Sequence, residues 1–251
     1  QVNRLEGKVT KVELDQETGN IFSLSLENNR TVKGDFFFDC TGFRALLSGK
    51  ALKTPFTDWG HWLPCDTAQT VASERNGELL PYTKSTAKSA GWQWRIPTQR
   101  RTGNGHIYSS KFMKDNDALE ILLDGIDTNL IGTPRKISFK TGCRKNLWNK
   151  NCISIGLSAG FLEPLESTSL YLIQAGISKF ITLFPTAEIS DLVRNEYNKQ
   201  MLKEFYQVRD FIILHYKATE RNDSDFWNYC RNMSVPDSLK NKMELFKDAG
   251  R

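Results

Sequence analysis

An α/β chain with α+β character is what this sequence predicts, and three observations carry the prediction. Residues 8–14 and 21–26 alternate apolar and polar side chains as half-buried strands do, and Phe36-Phe37-Phe38 opens an apolar run suited to a strand covered on both faces. Residues 151–185 join a short apolar strand, a turn of small residues and a helix. Residues 189–217 keep apolar side chains at 193, 197, 201, 205, 208, 212 and 216, the spacing of one helical face.

In chain order, Asp15 to Asn20 turns between the first two strands, and Asn28-Asn29-Arg30 makes another turn from which Thr31-Val32-Lys33 leads on. Thr41-Gly42 breaks the strand that begins at Phe36, and residues 45–64, with Pro55, Gly60 and Pro64, read as loop. Extended structure returns at 66–71 and 91–97, separated by a polar stretch, 81–86, that suits the lining of a ligand path. Trp92 and Trp94 stand two apart, so on a strand both indoles point the same way and make a flat apolar wall; ordinary core packing is the equal alternative. Thr102-Gly103-Asn104-Gly105 reads as a hairpin turn, 115–124 as a short amphipathic helix, 137–141 as a strand and 222–251 as short helices.

The stretch around which the chain is organised is 151–170. Cys152 to Ile155 has the length of a buried strand, and Gly156, Ser158, Ala159 and Gly160 form a turn where backbone can approach a ligand closely. Pro164 ends strand pairing, and Ser167, Thr168 and Ser169 are each able to cap the helix that follows. Apolar residues at 170, 173, 177, 180, 181 and 184 mark one face of that helix, which Pro185 ends. A strand, a tight turn and a helix start together aim unpaired amides at an anion or cofactor. For Glu166 two readings stand: an acid favoured by a helix start, which is the commoner role, and a carboxylate with chemistry to do.

Composition narrows the classes. A hydrophobic share of 39% and a charged share of 25% belong to a globular protein, and no apolar run approaches the roughly 20 residues that span a bilayer. The five cysteines are odd in number, widely spaced and without Cys-x-x-Cys, so reduced thiols buried in a cytoplasmic protein are expected, Cys40 and Cys152 among them. Three scattered histidines give no metal-ligand spacing. The net charge of +5 is uneven: no acid lies between Asp127 and Glu163, where Arg135, Lys136, Lys140, Arg144, Lys145 and Lys150 fall. A solvated face is the commoner account of such a run, and a positive face for an anionic ligand or partner is the sharper one. Nothing interleaves aromatic residues with it as a nucleic-acid groove would, so no such groove is expected.

Four segments in register resemble the flavin-dependent tryptophan halogenases. Gly156-Leu157-Ser158-Ala159-Gly160-Phe161-Leu162-Glu163-Pro164-Leu165-Glu166-Ser167-Thr168-Ser169 resembles that family's active-site segment, and Trp92-Gln93-Trp94-Arg95-Ile96-Pro97 matches its Trp-x-Trp-x-Ile-Pro motif. Asp39 to Arg44 with Leu63 to Asp66, and Arg209 to Tyr216 with Phe226-Trp227, complete the set. The resemblance implies a partial FAD-binding domain of the flavoprotein monooxygenase type, with an inserted sheet and a helical C-terminal region. It also implies that a separate flavin reductase supplies reduced FAD, and that chloride or bromide becomes the oxidant that halogenates an aromatic small molecule, classically tryptophan. Glu166 matches the catalytic glutamate, and the amides of Thr168 and Ser169 match the halide site, Ser169 standing where several relatives have Gly. Leu157, Leu170, Gly156 and Gly160 fall to the flavin, while Trp92, Trp94, Ile96 and Pro97 fall to the wall between flavin and substrate.

The family's Gly-x-Gly-x-x-Gly fingerprint and its essential lysine have no counterpart in residues 1–251. The expectation is therefore an internal segment of a longer enzyme, inactive by itself. Its expected parts are 1–49 in the FAD domain, 50–150 as the inserted, substrate-side sheet, 151–185 as the strand–turn–helix with the active site, and 186–251 as the helical region. The oligomeric state is left open, a homodimer included. Two rival readings are an aromatic hydroxylase of the related monooxygenase fold and a non-catalytic segment that binds a partner.

Overall fold

The computed structural model describes residues 2–75, 77–185 and 188–250. Its strands are β1 (Val9–Leu14), β2 (Ile21–Leu26), β3 (Thr31–Lys33), β4 (Phe37–Asp39), β5 (Phe56–Asp58), β6 (Thr67–Ser73), β7 (Lys84–Lys88), β8 (Gly91–Pro97), β9 (Thr102–Tyr108), β10 (Leu130–Ser138), β11 (Gly142–Arg144), β12 (Trp148–Asn149), β13 (Cys152–Ser154) and β14 (Gly160–Phe161). The helices are α1 (Asp115–Asp124), α2 (Ser169–Thr182), α3 (Asp191–Lys217), α4 (Asp225–Asn232) and α5 (Asp237–Ala249). They fall into two compact units, Gln1–Thr57 with Gly142–Val208 and Asp58–Thr141 with Arg209–Arg251.

In the first unit, β1, β2 and β3 form an antiparallel meander whose first turn is closed by Asp15, which accepts from the Thr18 amide at 2.7 Å. A second sheet runs β12-β13-β4, with β13 and β4 parallel and Cys152 opposite Phe37. Ile21, Phe37, Leu47 and Cys152 bury against one another as the core joining meander and sheet. The side-chain amide of Asn151 ties the same parts, accepting from the Ile21 N–H at 2.8 Å and donating to its carbonyl at 2.9 Å.

Asp39 ends β4 and collects five donors. Its carboxylate accepts from the Thr41 amide (3.0 Å) and hydroxyl (2.6 Å), the Leu47 amide (3.1 Å), and the Ser48 amide (2.8 Å) and hydroxyl (2.7 Å). Burial by itself raises this carboxyl, but the Thr41 and Ser48 hydrogen bonds outweigh it and hold Asp39 below the usual range. The segment beyond Thr41 folds round the carboxylate as a 3₁₀ turn at Gly42–Arg44 and a wide π-type turn at Leu46–Ala51.

The second unit is built on an antiparallel sheet in the order β10-β6-β9-β8-β7. α1 covers one face through Ala118 and Leu122, and Gln93 donates to the Ile121 carbonyl at 2.8 Å. Arg209 lies 5.2 Å from the ring centres of both Trp59 and Trp62 and donates to Asp210 at 2.7 Å. The Trp227 indole of α4 donates to the Lys88 carbonyl at 2.7 Å, which anchors the helical end of the chain to β7. Of the motif residues, Arg209, Asp210, Ile212, Ile213, Tyr216, Phe226 and Trp227 are thus buried in the packing of this unit, while Phe211 and His215 are exposed.

Several expectations need correction. Residues 45–64 are not simply loop: they contain the π-type turn at Leu46–Ala51, which the buried Asp39 carboxylate organises, and strand β5. Phe38 is 45% exposed, so β4 is covered on one face only, and Cys40 is exposed rather than buried. The polar stretch 81–86 is not among them: Pro81, Tyr82 and Thr83 line a groove with Ile96 and Pro97, and from Lys84 the chain is β7, paired with β8. The hairpin turn lies at Thr98–Arg101, where Thr98 N donates to Arg101 O at 2.9 Å; Thr102 to Gly105 are already strand. On α2 the packed residues are Leu172, Gly176 and Phe180, while Leu170, Ile177, Ile181 and Phe184 of the apolar stripe are exposed. Gly176 explains the difference: a Cβ there would stand 3.1 Å from Ile155 and 3.2 Å from the Tyr197 hydroxyl, so the helix seats on its smallest residue.

Asp39→Asn is expected to lower stability by about 2 kcal/mol, because a side-chain NH₂ then faces amides that need an acceptor. A carboxyl held low stabilises the fold above its unfolded value near pH 4 and loses that effect as pH falls through its folded value. Urea denaturation of wild type and variant at pH 7 and pH 3 therefore shows a gap that narrows on acidification; a gap independent of pH contradicts the role.

Candidate active site

β13 enters the site as a fully buried strand, and Gly156 then turns the chain with φ at +68°, in the left-handed region that glycine tolerates best. Ser158 fixes this turn against the sheet: its hydroxyl reaches the carbonyls of Asp39 and, at 2.8 Å, of Ile155. The Ile155 amide donates to the Asp39 carbonyl at 3.0 Å. Arg144, expected on a positive face, turns its guanidinium inward instead, donating to Thr54 O at 2.7 Å and Ser158 O at 2.9 Å. The rest of the basic run is divided between the units, with Arg135, Lys136 and Lys140 in one and Lys145 and Lys150 in the other.

Gly160 is required for a backbone reason. It sits on β14 opposite Cys143, and a Cβ there would stand 2.5 Å from the Gly142 carbonyl oxygen. Beyond it, Glu163 is wholly buried, and Pro164–Glu166 makes a 3₁₀ turn closed by Ser167 N donating to Pro164 O at 3.1 Å. Ser167 turns left-handed at φ +55°, and Thr168 is the N-cap of α2. Glu166 is exposed, at the end of the turn that delivers the helix start.

The start of α2 has the character of an anion site. Its first turn carries no acid, and Thr168 makes no side-chain cap. The Thr168 hydroxyl is buried without a hydrogen-bond partner. The first amides of a helix have no intrahelical acceptor and carry its positive end, so Thr168 and Ser169 present donors that suit a small anion. A cavity of about 180 Å³ lies behind, lined by Gly156, Leu157, Gly160 and Ser169 among apolar side chains, with the Ser154 hydroxyl buried and unpartnered at its wall. Leu157 and Leu170 are 41% and 77% exposed, apolar surface available to a flat ring. These observations fit a flavin with a halide at the helix start. Burial pushes the Cys152 thiol on β13 up to about 12, which disfavours its thiolate.

Trp92, Trp94, Ile96 and Pro97 lie on β8 of the second unit. Trp92 is buried at 3%, Trp94 is half-buried, and their ring centres are 5.9 Å apart, so the two indoles do share a face. A Cβ at Gly105 would stand 2.0 Å from the Trp94 ring, which shows that this indole lies flat across β9. Among the described residues no cluster of His, Cys, Asp and Glu is able to hold a metal, and no helix is long and apolar enough to cross a membrane.

The family model for tryptophan halogenase matches residues 1–251. The chain belongs to the tryptophan halogenase family. It is 36% identical over 252 residues to the tryptophan 6-halogenase ThaL of Streptomyces albogriseolus, covering 98% of this chain and 47% of that protein. It is 34% identical over 250 residues to the tryptophan 7-halogenase KtzQ of Kutzneria sp. (strain 744), with the same coverage of 98% and 47%. Among solved structures it is similar to BrvH, a flavin-dependent halogenase from Brevundimonas sp. BAL3, at TM-score 0.93 and 47% identity over 97% of this chain and 50% of that one. Xcc4156, a flavin-dependent halogenase from Xanthomonas campestris, gives TM-score 0.94 and 44% identity over 97% and 49%. The chain thus spans about half the length of the relatives it matches.

Sequence reasoning missed Asp39 as the hub, Glu163 as a buried acid and Gly176 as the helix seat. Only Asp39 left a trace, as an acid inside an otherwise apolar strand. The two turn glycines separate conformation from space. Gly156→Ala meets only ordinary contacts with Ile173 at 3.6 Å and is expected to cost about 1–2 kcal/mol for its left-handed φ. Gly160→Ala collides with backbone, so calorimetry is expected to show the larger loss in Tm; a smaller loss than Gly156→Ala refutes the close approach of β14 to β11.

Proposed function

We propose that the protein of which these residues form part halogenates an electron-rich aromatic, tryptophan or another indole, using reduced FAD, oxygen and chloride or bromide. The observation that carries the reading is the α2 start, where open amides at Thr168 and Ser169 follow directly on Glu166. Reduced flavin with oxygen supplies the oxidising power that turns halide into hypohalous acid. A separate reductase supplies that flavin in transient encounters. The reduced cysteines suit work in the cytoplasm. Residues 1–251 by themselves, without the Gly-rich cradle for a pyrophosphate, are inactive in this reading.

Each residue has a role in this chemistry. Thr168 and Ser169 bind halide through backbone N–H groups, with the helix dipole favouring the anion. Because the donors are amides, Ser169 serves as well as a glycine. Leu157, Leu170, Gly156 and Gly160 shape the flavin side, and the Trp92–Trp94 face with Ile96 and Pro97 is assigned to the wall that keeps the flavin from oxidising the aromatic directly. As hypohalous acid delivers its halogen to the ring, its oxygen leaves as hydroxide and the ring becomes cationic; the ring proton, once released, converts that hydroxide to water. The Glu166 carboxylate orients the oxidant, stabilises that cation and takes the ring proton.

Glu166→Gln tests the assignment, because it keeps shape and hydrogen bonding and removes only the charge. With complete protein, reductase, bromide and an indole, halogenated product is expected to fall roughly 10²–10³-fold. Flavin turnover, read as hydrogen peroxide released to solution, and Tm are expected to persist. Product within a few-fold of wild type leaves Glu166 as a helix-start acid and removes it from the mechanism.

A further inference from the structure

On the face of the five-stranded sheet opposite α1, the register aligns one row of residues. Arg135 of β10 stands beside Thr70 of β6, Thr70 beside Gly105 of β9, and Gly105 beside Trp94 of β8. Neighbouring residues in such a row point to the same face. The Trp94 indole lies on Gly105, as its 2.0 Å approach to a Cβ there requires, so its ring is directed along the row toward Thr70 and Arg135. Gly103 continues the low floor one step further along β9.

The result is a groove of about 370 Å³ lined by Trp94, Gly103, Thr70, Arg101 and Arg135, with no carboxylate in its lining. A bulge between Ile131 and Arg135, where Gly132 has φ at +82°, shapes its outer rim. Arg101 is held at its backbone by the Thr98 turn, in which the Thr98 hydroxyl donates to Arg101 O at 2.6 Å. Neither Arg101 nor Arg135 forms an ion pair among the described residues, in contrast to Arg95, which pairs with Asp127 at 3.1 Å. Two permanent cations without an acid stand at one end of a flat indole.

Three strand spacings separate β8 from β10, roughly 14 Å. The indole occupies about half of that span, leaving room for one carboxylate between ring and guanidinium. Guanidinium binds carboxylate through paired N–H donors, and an indole face or edge takes an aromatic ring in offset or edge-on contact. We propose that this groove binds a small aryl carboxylate, ring against Trp94 and carboxylate on Arg135 and Arg101. The proposal is argued from the sheet, and it places the ligand on the same Trp94 that the halogenation reading assigns to the wall between flavin and substrate.

The test is binding, read at Trp94 itself. In the full chain with ¹⁵N-labelled tryptophan, the Trp94 indole N–H resonance is assigned by its loss in Trp94→Phe. Titration with 2-naphthoate is expected to shift that resonance saturably, and the uncharged isostere 2-naphthamide is expected to leave it in place. Arg135→Gln is expected to weaken naphthoate about tenfold, the worth of one charged hydrogen-bonded pair. The amide control needs no variant, so it decides the matter even if Arg135→Gln folds poorly. No shift with naphthoate, an equal shift with naphthamide, or unchanged affinity in a folded Arg135→Gln overturns the proposal.

Discussion

One buried carboxylate fixes the first unit. Asp39 sits where β4 ends, and its side chain satisfies the amides of Thr41, Leu47 and Ser48 while its carbonyl receives the Ile155 amide and the Ser158 hydroxyl. A charge there would be costly without partners, and it is stable only because five donors surround it. The same donors oblige residues 41–48 to wrap inward. That wrap closes one side of β4, and the carbonyl of Asp39 pins the turn that follows β13 on the other.

The active-site geometry descends from that pin. Gly156 turns the chain, Ser158 and Arg144 hold the turn, and Gly160 lets β14 lie against β11 at a distance no side chain allows. The chain then has few ways to reach α2, and Pro164 and the left-handed Ser167 select one in which Glu166 is exposed beside the helix start. The helix is seated on Gly176, which brings its backbone close to Ile155 and Tyr197. A helix start without a side-chain cap and a nearby carboxylate are thereby placed together on the backbone, the arrangement that the proposed electrostatic role calls for.

Much of this was legible in the sequence. The meander, α1 and the long α3 follow from periodicity, because local pattern and tertiary burial agree there; the parallel pairing of β4 with β13 had no such signal. Tyr197, Met201, Phe205, Ile212 and Tyr216 are all buried as helical spacing demands. The sequence was silent where a single long-range contact decides the outcome. No local signal shows that Asp39 draws residues 45–51 into turns, or that Gly176 outcompetes the larger apolar stripe of α2 for the packed face. Arg144 reads as surface charge in sequence and is structural in space. The site motif itself was legible as strand, turn and cap; the exposed Glu166 and buried Glu163 are told apart only by the 3₁₀ turn between them.

The central claim is that this element directs a halide, rather than oxygen alone, onto an aromatic ring. Mass spectrometry of the product decides it most directly, with complete protein, reductase, FAD, oxygen and an indole, in parallel reactions containing bromide, chloride or neither. The account predicts product carrying bromine or chlorine according to the salt supplied, and none without halide. A product that gains only oxygen, in the same yield with and without halide, would contradict it and assign the fold to aromatic hydroxylation.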